Sequence, residues 1–173
     1  MTRLLILASN SAPPTLVFPA LDETIKVRES RLDTISGFQS RTEADALDIL
    51  LKGTQPITIC PARQFDPETD RLYSGARWQA VKTGVDEGRV TIVSPPGVVG
   101  KRITRENAAK RNEYLLEIAD SVLLLYATPG GETERVVNLA LARGLPVSVL
   151  DHPANARWLE LGATMFEIAD PGV

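Results

Sequence analysis

Apolar residues in this chain fall into short unbroken runs separated by longer polar stretches. The runs lie at 4–8, 34–38, 56–60, 90–93, 121–126 and 146–150 and are rich in Ile, Val and Leu. A continuous rather than alternating apolar run marks a strand covered on both faces, as in a parallel sheet. Between the runs the spacing changes to that of helices. Residues 42–52 put Ala46, Leu47, Leu50 and Leu51 on one stripe and stop at Gly53, a residue type that closes helices. A second helical stretch, 78–87, stops at Gly88, and 104–119 is a third. A fourth, 132–143, carries Val136, Val137, Leu139, Ala140 and Leu141 before Gly144 and Pro146, again a helix followed by its stop signals. A short helix is predicted near 155–161. This alternation predicts an α/β fold, a Rossmann-like, doubly wound, mostly parallel sheet with helices on both faces and right-handed crossovers. Two stretches break the pattern. Residues 9–33 hold Pro13, Pro14 and Pro19 with little periodicity and are expected to form an irregular first unit. The polar connection 61–77 is longer than α/β loops usually are, and long loops are often functional.

Length and composition then bound the picture. A chain of 173 residues buries roughly 70% of its unfolded surface, enough for one core, so 1–173 is read as a single domain. Hydrophobic content of 43% with 24% charged residues describes a globular rather than a disordered chain. Cys60 and His152 are alone of their types. No internal disulfide can form, and a zinc site would need carboxylates to complete it, so neither metal nor cofactor is assigned. The apolar stretch 4–8 is too short for a signal-peptide core or a membrane span, and a cytoplasmic protein without membrane contact is expected. The net charge of −3 argues against a large nucleic-acid footprint, which rests on clustered Lys and Arg. Yet the charge is uneven, since Lys101, Arg102, Arg105, Lys110 and Arg111 stand against one acid, Glu106, in the segment 101–111.

An open α/β sheet takes its ligand beyond the carboxyl ends of its strands, where helices begin with free N–H groups. The residues following the runs are Ser9-Asn10, 36–40, 61–63, 94–97 and 128–133. Gly130 and Gly131 open the 132–143 helix, either to let a phosphate approach the backbone or simply as a tight turn. Glu132 and Glu134 in that first turn suit the helix dipole and oppose a phosphate. Gly37 and Ser40 bracket the start of the 42–52 helix, where a hydroxyl caps the helix or holds an anion. Arg63, after the run ending at Cys60, is either a site residue or a solvated loop arginine. Arg111 and Asn112 share the stripe of the 104–119 helix that packs on the sheet, and polar groups placed there need partners. Arg111 lies about 10 Å along the helix from Thr104, within side-chain reach of the ligand edge. The competing reading is an ion pair with Asp120 or Asp45. Cys60 reads as core and His152 as a loop or capping residue, and no catalytic triad is built from them.

The stretches ISGFQSRTEADALDILL (35–51), PITICPAR (56–63), VSPPG (93–97), the run 102–150 and DHPANARWLELGA (151–163) resemble the central Rossmann-like domain of the DprA/Smf DNA-processing proteins. That superfamily also holds the LOG-type nucleotide phosphoribohydrolases. The resemblance implies a pocket for a nucleotide, another phosphate-bearing small molecule or a short single strand of DNA. Gly37, Ser40, Arg111, Asn112, Gly130, Gly131 and Thr133 would line it, with segment 101–111 as one wall. It also implies a homodimer. Aromatic residues make up only 5% of the chain, which works against an extended single-strand groove lined with stacking rings. LOG-type enzymes carry Pro-Gly-Gly-x-Gly-Thr-x-x-Glu, whereas Pro129-Gly130-Gly131-Glu132-Thr133-Glu134 lacks the last glycine of that motif. The position of the catalytic glutamate falls on Val136 or Val137. A non-catalytic nucleotide-binding protein is therefore expected ahead of a nucleoside 5′-monophosphate phosphoribohydrolase. A ligand-sensing interaction module is the third reading.

Overall fold

The structure is a computed structural model and describes residues 2–168. Seven strands, β1 (Arg3–Ala8), β2 (Asp33–Ser36), β3 (Ile57–Ile59), β4 (Val90–Ile92), β5 (Ser121–Tyr126), β6 (Val147–Val149) and β7 (Thr164–Met165), form one sheet. Their order is β4-β3-β2-β1-β5-β6-β7, and every pairing is parallel. The helices are α1 (Val17–Ser30), α2 (Arg41–Leu50), α3 (Gly75–Asp86), α4 (Arg105–Ile118), α5 (Glu132–Ala142) and α6 (Ala156–Glu160).

The central strand shows why the apolar runs are continuous. Leu4, Ile6 and Ala8 join a core with Val27, Leu47 and Trp78 of α1, α2 and α3. Leu5 and Leu7 turn the other way and pack with Leu115, Val136, Val137 and Trp158 of α4, α5 and α6. Successive strand residues point to opposite faces, so two helical layers require both sets to be apolar. Each fully buried Leu or Ile contributes about 2 kcal/mol from the removal of its surface from water. The doubly wound α/β fold expected from the runs is the one observed.

The first unit differs from expectation. Residues 17–30 form a 14-residue helix, not an irregular stretch. Pro19 occupies its first turn, where the backbone N–H has no intrahelical acceptor to lose. The inward stripe is Ala20, Glu23, Thr24 and Val27, which has helical spacing but only two apolar members. Thr24 is accommodated because its hydroxyl donates to the Ala20 carbonyl at 2.7 Å. The two-residue edge strand β7 was likewise not expected. No helix among the described residues is long and apolar enough to cross a membrane.

Winding reverses between β1 and β5. From β1 the chain builds outward through β2, β3 and β4, and it then returns to lay β5 on the opposite side of β1. The crevice beyond the carboxyl ends of these two strands is the topological switch point, where open α/β sheets take ligands.

Candidate functional site

The cleft at the switch point has a volume of ≈ 300 Å³ and is floored by Leu7, Ala108 and Val136. At its base the β1–β5 register slips, so that Leu7 pairs with Leu124 but Ala8 with Tyr126. Such irregularities are frequent beside functional sites. Here the Ala8 N–H donates to Glu43 Oε1 at 3.0 Å. The other oxygen of Glu43 accepts from the Gln39 and Ser40 N–H groups at 3.0 and 3.4 Å. One carboxylate therefore fastens the end of β1, the loop after β2 and the first turn of α2. Glu43 is only 7% exposed, and burial pushes its carboxyl above the ordinary glutamate range, against the opposing pull of Arg111.

Ser40 is the N-cap of α2. Its hydroxyl accepts from the Glu43 N–H at 3.1 Å, and Glu43 returns the bond to the Ser40 backbone, completing a capping box. The capping reading of Ser40 is what the geometry bears out, although the residue also lines the cleft. Between β2 and Ser40 the chain turns sharply, with Phe38 buried at φ 46°. The left-handed region is unfavourable for a bulky residue. The turn is held by the Ser36 hydroxyl, which accepts from the Phe38 N–H at 3.3 Å, and by the Tyr73 hydroxyl, which donates to the Phe38 carbonyl at 3.0 Å.

Arg111 and Asn112 are the seventh and eighth residues of α4, where Asn112 is buried and Arg111 half-buried. Arg111 Nε donates to Asn112 Oδ1 at 2.9 Å and Nη1 to Gln39 Oε1 at 3.0 Å. Neither acid of the competing reading is its partner: Asp120 accepts from the Arg3 N–H, and Asp45 pairs with Arg77. Among the described residues Nη2 has no hydrogen-bonded acceptor and no carboxylate pairs with the guanidinium. Gly37 explains how the side chain lies where it does. A Cβ at that position would come within 2.7 Å of Arg111 Cζ and 3.2 Å of its Cδ, so the arginine packs against bare backbone.

The opposite wall is the start of α5. Gly130 takes φ 75°, and Gly131 is an N-cap without a side-chain acceptor for the first-turn N–H groups. Gly131, Glu132 and Thr133 line the cleft; Gly130 only shapes the turn. Glu132 accepts from Asn112 Nδ2 at 3.2 Å and from Arg135 Nη2 at 2.8 Å. The Arg135 hydrogen bonds hold its carboxyl below the ordinary range. Glu134 turns away to Arg157, 2.7 Å distant. A continuous polar chain thus runs Gln39–Arg111–Asn112–Glu132–Arg135.

Several expected features lie elsewhere. Arg63 faces a neighbouring cavity, held by Asp70 at 3.5 Å and by the Arg71 carbonyl at 2.8 Å. The basic segment does not form a wall of the cleft. Lys101 pairs with Asp70 and Lys110 with Glu106, leaving Arg111 as its one charged side chain in the lining, beside Ala108. Cys60 is fully buried, and burial pushes its thiol up to about 12. His152 Nδ1 accepts from the Ala154 N–H at 3.1 Å and caps a short turn. Glu43 and Gln39 are the site residues the sequence reading passed over. The Ser-x-x-Glu spacing at 40–43 was the available signal for Glu43.

These features define an all-parallel, doubly wound Rossmann-like protein with a polar cleft at its switch point. No protein-family model matches the chain, and no curated protein sequence does. Solved structures share its architecture. It is similar to DNA processing protein A (DprA) of Streptococcus pneumoniae at 15% identity and TM-score 0.69, over 95% of this chain and 58% of that one. The chain thus spans less than two thirds of the pneumococcal protein. It is similar to DprA of Helicobacter pylori, described for its single-stranded DNA binding mode, at 13% identity and TM-score 0.70, over 95% and 74% of the two chains. A molybdenum cofactor binding protein from Rippkaea orientalis follows at 13% identity and TM-score 0.63, over 96% and 88%. At these identities the likeness is one of fold, the doubly wound parallel sheet that these proteins share.

Proposed function

We propose that this protein binds a phosphate-bearing ligand, a nucleotide or a related small anion, in the switch-point cleft and does not hydrolyse it. The observation that carries this reading is Arg111, among the described residues the one cationic side chain lining the cleft and one whose Nη2 has no hydrogen-bonded acceptor. A guanidinium offers a planar donor fork suited to phosphate. Across the cleft the uncapped first turn of α5 adds N–H donors and the positive end of a helix dipole. The acids present do not cancel this: Glu132 is tied to Arg135, and Glu43 spends its oxygens on three backbone N–H groups.

Binding is favoured over N-glycosidic hydrolysis because Val136 and Val137, both buried, stand where the LOG motif puts its glutamate. The neighbours above are described as binders of single-stranded DNA or of the molybdenum cofactor, which agrees with a binding role. A cytoplasmic homodimer belongs to the same reading. Arg111→Ala is expected to weaken binding of a nucleoside 5′-monophosphate by tenfold or more, the loss of a charge-assisted hydrogen bond. Calorimetric titration measures it, and an unchanged affinity would remove the phosphate from this cleft. Chromatography of nucleoside monophosphates after incubation with the protein is expected to show no free base. Arg111-dependent base release would replace the binding reading with the enzymatic one.

A further inference from the structure

The long connection between β3 and α3, residues 60–74, contributes no side chain to the lining of the cleft. We infer that it governs the cleft from outside: Tyr73 is a positioning residue, whose hydroxyl on the Phe38 carbonyl keeps the turn that seats Arg111. The inference rests on the reading of the cleft just given and adds to it a residue on which binding depends without contact to the ligand.

Phe38 is where the two sites meet. A bulky residue at φ 46° holds a conformation that persists only where its surroundings dictate it. The residues on either side of it both bear on Arg111. Gly37 presents the bare backbone against which the guanidinium packs, and Gln39 Oε1 accepts from Arg111 Nη1 at 3.0 Å. Relaxing Phe38 to negative φ turns these two residues relative to each other, and Arg111 loses one support or the other. The peptide between Phe38 and Gln39 is gripped at both ends. Glu43 accepts from its N–H at 3.0 Å, and the Tyr73 hydroxyl donates to its carbonyl at 3.0 Å. Among the described residues no other donor reaches that carbonyl.

The connection is built to hold Tyr73 still. The Gln64 N–H donates to the Gly100 carbonyl at 2.8 Å, the Phe65 N–H donates to Ser94 Oγ at 2.9 Å, and Asp70 pairs with Lys101 and Arg63. These bonds tie it to the loop that follows β4. The Tyr73 ring itself lies 5.8 Å from the Arg77 guanidinium, which Asp48 of α2 anchors with bonds of 2.8 and 2.7 Å. A hydroxyl on a ring already fixed reaches its acceptor with little further loss of side-chain entropy. Burial pushes the phenol above its ordinary range, so the donated proton stays in place at neutral and mildly alkaline pH. Such a strut is a use for a connection longer than α/β loops usually are.

Tyr73→Phe on the full chain is the test, since it keeps the ring beside Arg77 and removes only the hydroxyl. Calorimetric titration with adenosine 5′-monophosphate is expected to show about fivefold weaker binding, the scale of one neutral hydrogen bond. The melting midpoint is expected to fall by no more than about 4 °C. NMR of the arginine Nε–H groups in the ligand-free protein separates positioning from a general loosening. The Arg111 signal, assigned by its loss in Arg111→Ala, is expected to shift in Tyr73→Phe. The Arg77 signal, assigned by its loss in Arg77→Lys, is expected to move far less. An Arg111 signal that moves no further than that of Arg77 would overturn the positioning role, whatever the affinity does. Unchanged affinity in Tyr73→Phe, beside a loss in Arg111→Ala, would overturn it too and leave the reading of the cleft standing. Absence of adenosine 5′-monophosphate binding by the wild-type protein would overturn the reading of the cleft, and this inference with it.

Discussion

Glu43→Ala is expected to lower the midpoint of thermal unfolding by about 10 °C. The substitution strips acceptors from the N–H groups of Ala8, Gln39 and Ser40. A buried donor left without a partner costs about 1–3 kcal/mol. Water entering from the adjoining cleft recovers part of this, and roughly 3 kcal/mol remains. In a domain of this size each kcal/mol is worth about 2–4 °C. Circular dichroism melts of both proteins measure the shift, and a change of less than about 2 °C would show that the carboxylate is not the fastening described. Glu43→Gln sharpens the test because it keeps the shape and removes the titration. The carboxyl of Glu43 is raised in the folded protein, so on acidification the folded state takes up this proton before the unfolded state does. Wild-type stability relative to Glu43→Gln should therefore grow as pH falls through the raised value, and level off below the ordinary glutamate value. A gap that is constant with pH would contradict it.

The second large effect is on binding and should leave stability nearly untouched. Gly37→Ala places a methyl group 2.7 Å from Arg111 Cζ, inside van der Waals contact. The backbone at Gly37 is not in the left-handed region, so alanine adopts it without strain. What must give way is the end of a long, flexible side chain, which swings off the Gly37 backbone and out of line with Gln39 and Asn112. Affinity for a nucleoside 5′-monophosphate is expected to fall about tenfold or more, comparable to Arg111→Ala and of the size of one charge-assisted hydrogen bond. The melting midpoint should stay within a few degrees. Full affinity in Gly37→Ala, beside a loss in Arg111→Ala, would mean that the arginine binds from a different position.

Six of the strands and five of the helices were legible because both helical layers demand apolar residues on both faces of β1, β5 and their neighbours. A run such as Leu4–Leu7 has few other uses. α1 escaped detection because its inward stripe holds Glu23 and Thr24, and because a first-turn proline looks in sequence like a helix breaker. Arg111 and Asn112, which line the cleft, were legible as polar groups on an inward helix stripe, which need a reason to be there. Arg63 was not separable from them, since its partner Asp70 lies on the same long loop and only the folded loop brings the two together. The basic segment 101–111 misled for the same reason: the pairing of Lys101 with Asp70 is a contact between loops 31 residues apart in sequence. Gln39 carries no local signal, because its part follows from lying against Arg111, 72 residues away in sequence.

A crystal structure of the protein grown with a nucleoside 5′-monophosphate tests the central claim most directly. The phosphate is expected within hydrogen-bond distance of Arg111 Nη2 and of the first-turn N–H groups of α5, with Glu132 still on Arg135. A phosphate bound elsewhere on the molecule, with the Gln39–Arg111–Asn112 chain undisturbed and only water at Arg111, would contradict it.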